Sequence, residues 1–200
     1  GATAGSEGIA IFKVRSRSLP QGNEAGKKEP LTALPDSKQP FVIVQAADGS
    51  GKAEFAAGTV GGVTRKSDDA TKASTSAGQT VKPSIVFTAE GTMNGGSISV
   101  DIPLSWPAPS GKISVSGATG SVGDAVVVGY TVTIPISFLS STQTITINYG
   151  DVTAPITPGK DNFIVKSSST ASGALTQMRT ADPTKKGGKL EIETLQAADG

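Results

Sequence analysis

The chain of 200 residues contains no cysteine and no histidine. Without Cys there are no disulfides and no thiolate metal sites. Without His, the commonest general base and the commonest metal ligand are missing together. Nucleophilic catalysis by Ser-His-Asp or Cys-His arrangements is therefore excluded. Charge of either sign is not in surplus: 18 Lys+Arg face 17 Asp+Glu, for a net charge of +1. That balance gives no electrostatic reason to expect nucleic acid or an anionic membrane as a partner. No apolar run approaches the roughly 18 residues of a membrane span. The sequence opens at Gly1 without a charged and apolar leader, so a signal peptide is expected to have been removed or to lie outside it. Aromatics are sparse, at six Phe, two Tyr and one Trp.

Apolar residues, by contrast, are present and ordered. Ile98, Val100, Ile102, Leu104 and Trp106 share one parity, with polar residues or Pro103 on the other. A period of two over nine residues predicts a half-buried strand with these five in the core. Tyr130, Val132, Ile134, Ile136 and Phe138 repeat the pattern, and Ile145 and Ile147 continue it after a short Ser/Thr loop. The two runs are expected to form a hairpin. The continuous run Ser84 to Thr88 suits a strand at the centre of a sandwich, while Lys52 to Ala57 and Lys112 to Ser116 supply weaker strands. Ala125 to Val128 is read as the start of the 130–138 strand, interrupted at Gly129. Pro103 and Pro135 lack the ladder N–H and are expected at an edge or a bulge. No segment reads as a convincing helix; Ser67 to Gly78 has room for one turn but no apolar face. The expected fold is an all-β, antiparallel Ig-like sandwich. Trp106 is expected to pack in its core, with sugar stacking as the alternative.

The chain also repeats itself. Residues 12–49 and 163–200 align without a gap at an offset of 151, with 11 identities in 38 positions. Composition alone gives roughly two or three. Phe12/Phe163, Val14/Val165, Ser18/Ser169, Gly22/Gly173 and Gln-Ala-Ala-Asp-Gly at 45–49 and 196–200 are among the matches. The division expected is a partial copy at 1–47, the tail of a preceding module or a set of exchanged strands, and a complete module at 48–200. Phe12, Val14, Asp48, Gly49, Phe163 and Val165 mark the segments that assemble or link modules. The stretch 47–51 permits positive φ, and is either a tight hairpin or a hinge.

Several stretches resemble the long Ig-like tandem repeats of giant prokaryotic surface proteins. They are the opening Ala-Asp-Gly-Ser-Gly at 47–51, the strand exit Ser99 to Pro109, the hairpin end Thr146 to Gly150, and the closing strands Phe163 to Gly173 and Phe12 to Gly22. The resemblance covers about 49–175 and departs in longer loops at 20–39 and 171–188. It implies extracellular, adhesin- or fibre-type, non-enzymatic β modules with no catalytic residues to carry over.

Other chemistry is thin. Asp101, Asp124 and Asp151 have no spacing that marks a carboxylate pair. Oxygen-rich loops make Asp68, Asp69 and Asp161 the calcium candidates, although none sits in an EF-hand pattern. Lys27-Lys28 and Lys185-Lys186 read as solvated loops. There is no Asn-x-Ser/Thr sequon. The expectation is a structural subunit of a fibre, sheath or surface layer, not an enzyme, without a cofactor beyond that calcium. It associates with itself or with neighbouring repeats and has no membrane span. The alternative is an adhesion module that binds glycan or protein.

Overall fold

A computed structural model describes residues 8–11, 15–16, 32–33, 35, 41–117, 121–178 and 188–196. The chain divides into two compact units, Gly1–Val44 and Gln45–Gly200. All described regular structure is β, and no helix occurs among the described residues.

In the first unit, Gly8–Ile11 pairs antiparallel with Phe41–Val44, and Arg15–Ser16 pairs with Thr32–Ala33. Phe12 and Val14 lie outside the described residues.

The second unit is a two-layer β structure. One layer has four strands in the order Ile113–Ser116, Thr144–Tyr149, Ser84–Thr88, Lys52–Phe55. The other runs Val126–Val128, Thr131–Pro135, Met93–Asp101, Gly159–Thr170, Lys189–Leu195, Lys72–Ser76, Val63–Arg65, Thr59–Val60. Phe138–Leu139 and Thr176–Gln177 add short pairings at its side. Alternation sends one parity of each layer inward. Phe55, Ile85, Phe87, Ile145 and Ile147 meet Ile98, Val100, Val132, Ile134, Phe163, Val165, Leu190 and Ile192 in one buried cluster. Burying a Val, Ile, Leu or Phe side chain contributes about 1.5–3 kcal/mol each, so this shared core is the main favourable term of the unit.

The apolar run at 84–88 is a central strand, flanked by Thr144–Tyr149 and Lys52–Phe55, as its unbroken hydrophobicity predicts. Trp106 is 1 % exposed and packs in the core.

Other expectations need correction. Leu104 is 79 % exposed, not a core residue. The strand through Val100 starts at Met93 and ends at Asp101. Beyond Ile102 the chain turns, with Trp106 N–H donating to the Pro103 carbonyl at 3.0 Å. Proline cannot extend the ladder, so the alternation breaks there and Leu104 faces solvent. The runs at 130–138 and 144–149 do not form a hairpin. Thr131–Pro135 pairs with Met93–Asp101, whereas Thr144–Tyr149 pairs with Ser84–Thr88 in the opposite layer. The intervening Ser/Thr loop crosses between layers, so that the two apolar faces meet across the core instead of lying side by side. Phe138 is exposed for a related reason: past Pro135 the alternation slips, and Leu139 takes the buried position.

The true hairpin is Val126–Val128 with Thr131–Pro135, closed by Gly129 and Tyr130. Gly129 has φ +60°, the left-handed value that a two-residue turn opening on glycine requires. Finally, the sheet is not wholly antiparallel. Lys72–Ser76, inside the segment that offered room for a helical turn, runs parallel to Lys189–Leu195, with Ile192 opposite Ala73.

Candidate functional site

The candidate site is the opening segment 45–50, which neither links strands as a tight hairpin nor stands free. Its neighbours Phe41–Val44 and Lys52–Phe55 pair with different partners. The segment itself is pinned to the module it opens. Ala46 N–H donates to the Thr92 carbonyl at 2.9 Å, and Gly49 N–H donates to the Ser167 carbonyl at 3.0 Å. Ser167 Oγ returns a bond to the Ser50 carbonyl at 2.8 Å.

Asp48 supplies the strongest contacts. Its Oδ1 accepts from Ser169 N–H at 2.8 Å and from Ser169 Oγ at 3.3 Å. Its Oδ2 accepts from Ala174 N–H at 2.9 Å. A carboxylate that accepts backbone N–H groups makes hydrogen bonds roughly twice as strong as neutral ones. Gly173 makes room for it: a Cβ there would lie 2.5 Å from Asp48 Oδ1. The repeat carried this signal, because Ser169 and Gly173 match Ser18 and Gly22, and Asp48 matches Asp199. Ala174, whose contribution is a backbone group, left no mark in the sequence.

Phe163 and Val165, expected to assemble modules, are core residues 1 % and 0 % exposed. Phe163 packs edge-on to Trp106, ring centroids 5.4 Å apart. Trp106 Nε1–H donates to Asp161 Oδ2 at 3.1 Å, and Ser105 Oγ donates to Asp161 Oδ1 at 2.7 Å. Tyr149 tilts against Trp106 and donates its hydroxyl to the Pro107 carbonyl. Burial raises the Tyr149 pKa above the usual phenol value.

The calcium candidates are not brought together. Asp161 is engaged by Trp106 and Ser105. Asp69 accepts from Thr71 N–H and Oγ1 at 3.0 and 2.7 Å and lies 3.5 Å from Lys72 Nζ. Asp68 is exposed. No group of three acidic side chains able to hold a metal gathers among the described residues.

A second feature is an open groove of about 560 Å³ on the four-stranded layer. Ser84, Ser114 and Asn148 form its floor, in register across three strands, and Ser84 Oγ bonds Asn148 Oδ1 at 2.6 Å. Lys82 and Lys112 rim it. Lys82 pairs with the Asp151 carboxylate at 3.3 Å, and Lys112 donates to the Asp151 carbonyl at 3.0 Å.

No known protein family profile matches the chain. No curated protein matches it. Among solved structures it is similar to one titled "Crystal structure of BslA - A bacterial hydrophobin", at 13% identity and a TM-score of 0.47. The likeness covers 77% of this chain and 100% of that one. At that level it carries no argument about what this chain does.

Proposed function

We propose that the chain is a non-enzymatic structural module of a prokaryotic extracellular fibre, sheath or surface layer, built from tandem or strand-exchanged Ig-like β-sandwiches. The observation that carries this reading is the repeat together with its pairing. Each copy of the repeat contributes to an antiparallel pair: Phe41–Val44 of the first pairs with Gly8–Ile11, which lies just before the matched residues, and Lys189–Leu195 of the second pairs with Gly159–Thr170. In this reading residues 1–47 are the closing strands of one module and 48–200 are the next. Self-association or covalent continuation joins such modules, and the work is mechanical. A polar Ser/Thr outer surface, a buried Trp106 and carboxylates bound to protein donors fit that role better than catalysis. Negative-stain microscopy of the purified protein tests it: regular filaments or strings of like particles support it, and isolated compact particles at every concentration oppose it.

The groove rimmed by Lys82 and Lys112 favours a second reading, an adhesion module whose hydroxyl- and amide-lined floor receives a glycan. Binding to a glycan array that is lost in Asn148→Ala, with folding intact, is the result that supports it.

A further inference from the structure

We propose that the module is built to bear tension between Gln45 and Leu195, with the strand Gly159–Thr170 as a shear clamp that grips both ends. The inference rests on the structural reading above, which supplies the load, and it names the element that carries the load.

The argument is one of register. The opening segment turns at 47–50, with Ser50 N–H donating to the Ala47 carbonyl at 3.1 Å, and meets the far end of the long strand in antiparallel order: Asp48 meets Ser169, and Gly49 and Ser50 meet Ser167. The last strand runs antiparallel to the same strand at its near end, with Gly159 opposite Thr194 and Ile164 opposite Lys189. The chain therefore enters the module beside Ser169 and leaves it beside Gly159. At about 3.3 Å per residue, these points lie about 33 Å apart along one continuous strand.

Tension pulls the opening segment out past the Thr170 end and the last strand out past the Gly159 end. Both pulls lie along the strand, and the ladder bonds lie across it. The ladder bonds of the last strand are loaded together, and at the other end the load falls on the Gly49–Ser167 bond, the Ser167–Ser50 bond and the Asp48 contacts. The last strand is held on both flanks, by Gly159–Thr170 and by its parallel neighbour Lys72–Ser76. The opening segment is held by Gly49 and Ser50 on Ser167 and by Ala46 on Thr92, and the Asp48 carboxylate with its three donors reinforces that grip. Gly173 is needed there because any side chain would push Asp48 away.

Because the chain has no Cys, attachment points can be placed singly on the full chain. Optical tweezers acting through Gln45→Cys and Gln196→Cys load the clamp along the strand. Attachment through Gln45→Cys and Ser172→Cys places both points at the Thr170 end and peels the opening segment bond by bond. The expected unfolding force is several-fold higher along the strand than in peeling. Adding Asp48→Ala to the axial pair is expected to raise the unfolding rate at fixed force by about tenfold, because forced unfolding is governed by that rate. Gly173→Ala is expected to act in the same direction and keeps the test open if Asp48→Ala does not fold. The exposed Leu104→Ser is expected to have no effect. Equal forces in the two geometries, or an axial rate unmoved by both clamp variants, overturn the proposal. Those outcomes are separable from failure of the structural reading, which would appear as isolated compact particles whatever the force.

Discussion

The two copies of the closing segment share a sequence pattern and differ in their company. Among the described residues, Gly8–Ile11 and Phe41–Val44 form a sheet of two strands. Gly159–Thr170 and Lys189–Leu195 also pair antiparallel, but lie between Met93–Asp101 on one side and Lys72–Ser76 on the other. The registers also differ. An offset of 151 maps Gly8 opposite Val44 onto Gly159 opposite Leu195, yet Gly159 faces Thr194. A one-residue slip exchanges the faces of a strand, so register is tightly specified only where one face is buried. In the second copy Phe163, Val165, Leu190 and Ile192 are committed to a shared core, and that core dictates the pairing. The contrast teaches that matched sequence does not by itself fix register, while residues 50–162, between the copies, supply the flanking strands and the opposite layer that do.

The largest effect expected from this contrast is in the second copy. Ile192→Ala removes a fully buried side chain and is expected to cost about 2–5 kcal/mol. Thermal denaturation followed by Trp106 fluorescence reads it, and an unmoved transition would break the assignment of that strand to the shared core. Next in size is Asp48→Ala, which strands the buried Ser169 N–H and is expected to cost about 2 kcal/mol in chemical denaturation. Asp48→Asn is expected to lose less, because it keeps an acceptor for Ser169 and gives up only the one for Ala174 N–H. Leu104→Ser, at an exposed turn, is expected to stay within about 0.5 kcal/mol.

The smallest effect concerns pH. Lys66 Nζ and Glu193 Oε2 are 2.7 Å apart, joining the last strand to the chain just past Val63–Arg65. Their hydrogen bond lowers the Glu193 pKa from 4.5 and raises that of Lys66 from 10.5. The Glu193 contribution is present above pH 4.5 and lost as pH falls through its lowered value. The Lys66 contribution is full below pH 10.5 and lost as pH rises through its raised value. Removal of the pair by Lys66→Ala is therefore expected to lower the melting temperature slightly at neutral pH and not at all in strong acid. High salt is expected to shrink the difference, because both groups are at the surface.

The strands themselves were legible because alternation is a local consequence of a half-buried sheet. Val132 and Ile134, Ile145 and Ile147, and Ile98 and Val100 all occupy the core that their parity predicts. Which strand lies beside which was not legible. Nothing within 130–149 distinguishes a hairpin from a crossing between layers, since both bury the same parity. The parallel partner Lys72–Ser76 was hidden because Ala73 and Thr75 fill its inward positions without an apolar stripe. Leu104 misled because Pro103 ends the ladder while the apolar rhythm continues past it. The clamp was half legible: Asp48, Ser169 and Gly173 recur in the repeat, but their meeting across 121 residues is a property of the folded sheet.

The most direct test of the structural reading is the mass of the native particle that carries this sequence, taken from its source without denaturation. The account predicts a mass many times that of one 200-residue chain, whether reached by covalent repetition or by assembly. A uniform particle with the mass of a single such chain would contradict it.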